Sequence, residues 1–293
     1  MLKRLIKTVL LFPLQACHIV FSLYDSALSI ILPKLRGVGR QQLINYIDKD
    51  IKLIKHGSTS FKLYTPNQIC NFRYSTFSNK EPEMLEWIEE YGGGVFFDIG
   101  ANIGLYSLFY AQVKKGNVYS FEPSVFNLRQ LAKNISINKL SKRITIVSNP
   151  LSEKTGIASF INGSTDEGGA LSAFGVEHGY DGKPIKGDVN YSVLGFSIYN
   201  IYKKNVLTEI PSLIKIDVDG IEHLILKGAV KTLKSQKLKS LFIEVNDDFK
   251  EQAHQVKTVL ESAGFALKAK RHSEMVDESA RFGKTYNQIW VKI

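Results

Sequence analysis

From Val95 onward, two hydrophobic periods take turns along the chain. Val95 to Ile99 is a short continuous apolar run, the pattern of a buried strand, and Asn102 to Lys114 repeats its apolar residues at helical spacing. Val118 to Glu122 reads as a second strand, Ser124 to Asn138 as a helix, and Ile144 to Ser148 as a third strand. After Pro211 the alternation resumes. Strands are predicted over Leu213 to Val218 and Leu241 to Val245, with helices over Glu222 to Ser235 and Asp248 to Ala263. Phe265 to Lys270 and Tyr286 to Ile293 close the series as strands. Strands that alternate with helices pair in parallel, with helices on both faces. The expectation is a doubly wound α/β fold with a mostly parallel, seven-stranded sheet.

The alternation breaks between Leu151 and Pro211. Strand-like runs at Ile157 to Ile161 and Tyr191 to Ile198 flank a glycine-rich loop, Asn162 to Gly187. Long irregular insertions in such domains are commonly functional loops. The loop carries Asp166, Glu167, His178 and Asp181, and a mobile lid over an acceptor is expected here.

Upstream, Phe61 to Asn79 reads as short strands and turns. Glu81-Pro82-Glu83 opens a helix that stops at Gly92-Gly93-Gly94, since proline suits the first turn and acids favour its positive dipole end. Residues 1–35 differ from the rest. Lys3, Arg4 and Lys7 precede an apolar stretch interrupted by Gln15, His18 and Asp25. Leu14, Cys17, Phe21, Tyr24, Leu28 and Ile31 keep helical spacing, which predicts one or two amphipathic helices broken near Pro13. They either pack on the domain or lie on a membrane surface. The expected organisation is a helical segment over 1–35, accessory strands and a helix over 36–92, and a catalytic domain over 93–293.

Composition narrows the setting. The chain has 293 residues and a formal net charge of +10, which suits an acidic partner or a lysine-rich solvated surface. The basic residues are scattered, without the arginine–aromatic pattern of a nucleic-acid reader, so no nucleic-acid partner is expected. Cys17 and Cys70 form neither a CxxC pair nor a disulfide framework, and the cytoplasm, possibly the inner face of a membrane, is the expected location.

The chemistry concentrates in "FFDIGANIGLYS", residues 96–107. Asp98 ends a strand, and Gly100 and Gly104 punctuate the turn into the next helix. In open α/β sheets ligands bind at the carboxyl ends of strands. Glu122 lies eighteen residues beyond Gly104, at the next strand end, where a carboxylate can accept both hydroxyls of a ribose. A dinucleotide fold would have GxGxxG and a P-loop would have GK[ST]; the turn has neither. Asp98 would repel a pyrophosphate and attract a cationic ribonucleoside. S-adenosylmethionine (SAM) has that character.

These residues resemble the FkbM-type methyltransferases, a branch of the class I SAM-dependent fold. The likeness rests on "EPEMLEWI" at 81–88, "FFDIGANIGLYS", "FEP" at 121–123, "PSLIKIDVDGIEHLILKGA" at 211–229, "LFIEVN" at 241–246 and the final "YNQIW". Asp219 stands where the family more often has glutamate. The resemblance implies SAM contacts at Asp98, Gly100, Asn102, Gly104 and Glu122. By analogy with the fold, Ser152 and Glu153 would lie near the adenine. Family members methylate hydroxyl groups of sugars or natural products.

A second constellation sits at Asp217, Asp219, Glu222 and His223, beside Glu244 and Asn246 on the neighbouring strand. A hydroxyl must lose its proton as it attacks a methyl carbon, and His223 or Asp217 can serve as general base. Glu244 belongs to the same catalytic set. Asp217, Glu244 and Asn246 are also hard oxygen ligands that suit Mg2+. The expectation is an O-methyltransferase acting on a sugar of a glycan or glycolipid. The alternatives are a natural-product hydroxyl as acceptor, or a SAM-binding module without catalysis.

Overall fold

In the computed structural model residues 2–272 and 282–293 are described. The chain forms two compact units, Met1–Asp50 and Ile51–Ile293. The first contains α1 (Leu2–Ile31) and α2 (Val38–Ile47). α1 runs through Pro13 as one helix, where a break was expected. Among the described residues, Leu11–Ile31 is the one stretch of helix long and apolar enough to cross a membrane.

The second unit opens with a hairpin, β1 (Ile51–His56) and β2 (Thr59–Tyr64), then α3 (Gln68–Ser75) and α4 (Pro82–Tyr91). α3 replaces the strands and turns expected there. Asn67 caps it by accepting the Cys70 amide at 2.8 Å, and Cys70 anchors the short helix in the core. The alternating part follows: β3 (Phe96–Ile99), α5 (Leu105–Val113), β4 (Val118–Phe121), α6 (Val125–Ile137) and β5 (Ile144–Val147). The insertion supplies β6 (Gly156–Asn162), β7 (Ala173–Phe174) and β8 (Val189–Gly195), which form their own antiparallel sheet. Then come α7 (Ile198–Lys203), β9 (Leu213–Ile216), α8 (Glu222–Lys227), α9 (Val230–Leu233), β10 (Ser240–Asn246), α10 (Lys250–Ser262), β11 (Phe265–Arg271) and β12 (Thr285–Lys292).

The main sheet has seven strands in the order β11-β12-β10-β9-β3-β4-β5. Its five central-to-edge strands β10, β9, β3, β4 and β5 pair in parallel, and β12 runs antiparallel to both neighbours. The doubly wound, mostly parallel sheet expected from the alternation is therefore present. Period-2 geometry divides each strand between two cores. Phe96, Val118, Leu213 and Phe242 face α4, α5, α6 and the β1–β2 hairpin. Phe97, Phe121, Ile214 and Leu241 face α7 to α10.

The helix expected over Glu222 to Ser235 is two helices, broken at Gly228. A Cβ there would lie 2.3 Å from the Ser152 carbonyl oxygen, so the break admits the chain after β5. Gly100 is tighter still. It has φ +80°, and a Cβ would lie 1.9 Å from the Asp217 carbonyl oxygen. Gly100→Ala should lower stability by about 2 kcal/mol or more, a fall of roughly 4–8 °C in Tm. Thermal denaturation checks this, and an unchanged Tm would show that the β3 and β9 ends can move apart.

Candidate active site

β3 ends at Ile99, and the chain turns through three residues with positive φ: Gly100, Asn102 at 52° and Gly104 at 90°. Asparagine tolerates this conformation because its side chain can hydrogen-bond locally. Asn102 Oδ1 accepts the Ile103 amide at 2.9 Å, and its Nδ2 donates to the Gly169 carbonyl at 2.6 Å. Gly104 is needed for packing, since a Cβ would lie 2.5 Å from Leu131 Cδ1. Both glycines thus serve approach of protein to protein.

Glu122, just beyond β4, faces the turn. Its carboxylate accepts the Asn102 amide at 2.7 Å and the Ser124 amide at 2.9 Å. Burial raises its pKa to about 6 despite those donors. Glu122, Gly100 and Asn102 line a cavity of about 620 Å³, with apolar walls from Ile99, Phe121 and Leu151.

Asp98 lies one layer deeper. It is fully buried, accepts a hydrogen bond from Ser107 at 2.6 Å, and sits 3.4 Å from Lys215. Lys215 is itself buried in the middle of β9. It donates to the Gly100 carbonyl at 2.8 Å and lies 3.4 Å from Asp217. Burial alone would lower the lysine's pKa. Asp217, Asp98 and Glu81 outweigh burial and hold it above its usual range. One cation therefore joins the glycine turn to the acid expected to catalyse.

The same cavity is lined by Glu81, Tyr106, Asp217, Asp219, Glu244 and Asn287. Tyr106 donates to Glu81 at 2.6 Å, and Glu81 also pairs with Lys80. Burial raises the Glu81 pKa, but Lys80 and Tyr106 overcome it and bring the value to about 2. Burial and the charges of Asp217 and Glu81 push Glu244 well above the carboxylate range. Asp219 rises to about 6 through burial and Asp217. Burial and neighbouring charge thus push two carboxyls of one cavity in opposite directions. Oxygens of Asp217, Asp219 and Glu244 all lie within 4.8 Å of one another, a spacing compatible with a shared cation.

Several expected residues lie elsewhere. His223 does not line the cavity. Its ring packs edge-on against Phe249, and burial, then Lys227 and His178, lower its pKa to about 4. Asn246 is used locally, accepting the Asp248 amide at 2.9 Å. Glu222 accepts the Val218 and Gly220 amides at 3.1 and 3.2 Å, which holds the turn before α8. Ser152 and Glu153 fall just past the cavity; Asn149, Pro150 and Leu151 line it instead. Asp98 and Gly104 support the turn from behind. Gly100, Asn102, Glu122, Asp217 and Glu244 share the cavity.

The insertion forms a cavity wall between Gly163 and Ser172. Gly169 receives the Asn102 and Asn127 side chains, and Arg73 donates to the Gly168 carbonyl at 2.7 Å. Asp219, at φ 63°, accepts the Leu171 amide at 2.7 Å and the Ser172 amide at 3.3 Å. This part of the expected lid is tied down at both its ends. Lys215 carried a signal in the sequence, a charge inside the apolar run "LIKI". Asn127 and Arg73 carried none, because their partners are backbone groups far along the chain.

Residues 98–267 match the model of the methyltransferase FkbM domain. The chain belongs to the FkbM methyltransferase family. Among solved structures it is similar to the methyltransferase FkbM from Methylobacillus flagellatus KT, at 16% identity and TM-score 0.48, over 76% of this chain and 52% of that one. This chain thus spans about half the length of that protein. It is also similar to a precorrin-6y C5,15-methyltransferase from Geobacter metallireducens GS-15, at 13% identity and TM-score 0.43, covering 73% and 87% of the two chains. A third is M. capricolum TrmK in complex with S-adenosyl-homocysteine (SAH), at 14% identity and TM-score 0.41, covering 72% and 66%. No curated protein matches the chain.

In this FkbM-type domain, Asp219 ties the insertion to the turn after β9. Asp219→Ala should remove the hydrogen-exchange protection of the Leu171 and Ser172 amides and cost about 1–3 kcal/mol. Asp219→Asn, which keeps an acceptor and tolerates positive φ, should retain most protection. Protection unchanged in the alanine variant would show that the wall stands without this contact.

Proposed function

We propose that the protein transfers a methyl group from SAM to a hydroxyl oxygen of a sugar, in a glycan or glycolipid. The observation that carries this is a single cavity that runs from Glu122 and the glycine turn to Asp217, Asp219 and Glu244. Bound SAM supplies an electrophilic methyl carbon on a sulfonium. The protein's share is to hold the acceptor oxygen behind that carbon, exclude water and take the hydroxyl proton.

Glu122 would accept the ribose hydroxyls; in support, it lines the cavity, and the Asn102 and Ser124 amides fix its orientation. A carboxylate has lone pairs left after two such bonds. Asp217 is the proposed general base, since it lines the cavity and Lys215 holds it from behind. His223 is withdrawn from that role because it faces Phe249 outside the cavity. The new bond joins acceptor oxygen to methyl carbon, the carbon–sulfur bond breaks to leave SAH, and the hydroxyl proton passes to Asp217. Glu244 and Asn287 line the same cavity and supply polar groups for further hydroxyls, which favours a polyhydroxylated acceptor.

Asp217→Asn should reduce methyl transfer to a glycan panel by at least about 100-fold, the scale of a lost general base. Its affinity for SAH should change little. Turnover retained in this variant would remove Asp217 from the role. A second reading is favoured by the spacing of Asp217, Asp219 and Glu244, in which Mg2+ lowers the hydroxyl pKa directly. Loss of turnover in EDTA, restored by Mg2+, would select that reading.

The cofactor reading has its own check. SAH affinity should weaken as pH falls through about 6, because Glu122 then gains a proton and loses acceptor strength. Bound ribose favours the ionised form, so the complex should titrate at a lower pH than the free protein. Glu122→Ala should weaken binding by about 1.5–3 kcal/mol and flatten the pH dependence. Calorimetry across this range measures both. Binding of NAD in place of SAH would overturn the assignment.

A further inference from the structure

The part of α1 from Leu11 to Ile31 presents far more apolar surface than packing on one neighbour would use. A helix laid on a protein core needs an apolar stripe of roughly 100°. At about 100° per residue, Gln15, His18, Ser22, Asp25, Ser26 and Ser29 share one stripe about 100° wide. Nearly all of the remaining arc is apolar. Phe12, Leu14, Val20 and Leu23 are each 65–67% exposed, and Ile30 and Ile31 reach 80% and 75%. None of the apolar window is buried. Such a helix calls for a partner that surrounds it.

We infer that Leu11–Ile31 is embedded in the hydrocarbon of a lipid bilayer and tethers the methyltransferase domain to it. Three further observations select a bilayer. The stretch has 21 residues, which at 1.5 Å per residue matches a hydrocarbon core of about 30 Å. It contains no lysine or arginine, whereas Lys34 and Arg36 follow it at once, a placement that suits anionic headgroups. Within the polar stripe, Ser26 donates to the Ser22 carbonyl at 2.8 Å and Ser29 to the Ser26 carbonyl at 2.7 Å. Both hydroxyls are thereby satisfied inside the helix, as a lipid environment requires. The remaining polar groups lie on the side where Gly39 of α2 approaches Asp25, within the same unit. The sequence pattern alone left a surface helix and a packed helix open; the width of the exposed arc selects immersion.

The test is extraction of the full-length protein from membranes of the expressing cell. The protein should remain in the membrane pellet after washes in high salt and then alkaline carbonate, and should dissolve in detergent with SAH binding intact. The double variant Val20→Glu, Leu23→Glu places two charges in the exposed arc. It should move to the soluble fraction, with the pelleted share falling by an order of magnitude, and still bind SAH. Wild-type protein in the supernatant, or released by salt alone, would overturn the inference. So would a mature chain that lacks this stretch by mass spectrometry, which would make it a cleaved leader. Retention of the double variant in carbonate, with SAH binding intact, would also overturn it. SAH binding in every arm keeps this result separate from the fate of the methyltransferase reading.

Discussion

A lysine in the middle of a fully buried strand is the constraint on which this domain depends. Lys215 sits in β9 between apolar neighbours, and a buried ammonium is tolerable only with partners. It finds Asp98 on the adjacent strand, directly across the register, and Asp217 two residues along its own chain. Its remaining reach goes to the Gly100 carbonyl. Ser107 and Ser120 complete the set, with Ser107 bonded to both Asp98 and Ser120 at 2.6 Å. β3, β4, β9 and α5 are thereby locked at the level of the glycine turn. Removing one member would leave a buried charge uncompensated, a much larger loss than the pair's net contribution.

The same cluster explains why the site is shaped as it is. The turn after β3 can approach β9 only because Gly100 has no side chain. Once there, it exposes the Asn102 amide to Glu122 and the Asn102 side chain to Gly169. The insertion is then drawn over the strand ends by groups from α3, α6 and the turn after β9. A segment that breaks the βα pattern becomes a wall of the cavity through contacts made mainly by backbone carbonyls and amides.

Electrostatics divides the acids of the cavity by role. Glu81, between Lys80 and Tyr106, is held low, while burial, then Asp217 and Glu81, push Glu244 well above the carboxylate range. Residues of one type are thus set to different acidities within one cavity. This is a common way for a fold to arrange acid–base chemistry near neutral pH. The division follows from which carboxylates have a cation beside them.

The order of strands and helices, the parallel sheet and the family were legible in the sequence, because periodicity and the run "FFDIGANIGLYS" are local signals. Gly100, Asn102, Glu122, Asp217 and Glu244 were legible as candidates that share one cavity for the same reason: strand ends converge in this class of fold. Other features depended on distance through space. His223 has the chemistry of a base, but helix geometry turns it toward Phe249. Asn246 has the chemistry of a ligand, but a nearer amide claims it. Asn127, Arg73 and Gly169 gain their roles from contacts that span tens of residues. The sequence by itself determined which elements form and which strand ends carry charge, since both follow from neighbours along the chain. Only the tertiary structure decided which of those charges share a cavity and which carboxyl pKa values rise or fall, because burial and the nearest opposite charge are properties of the packed protein.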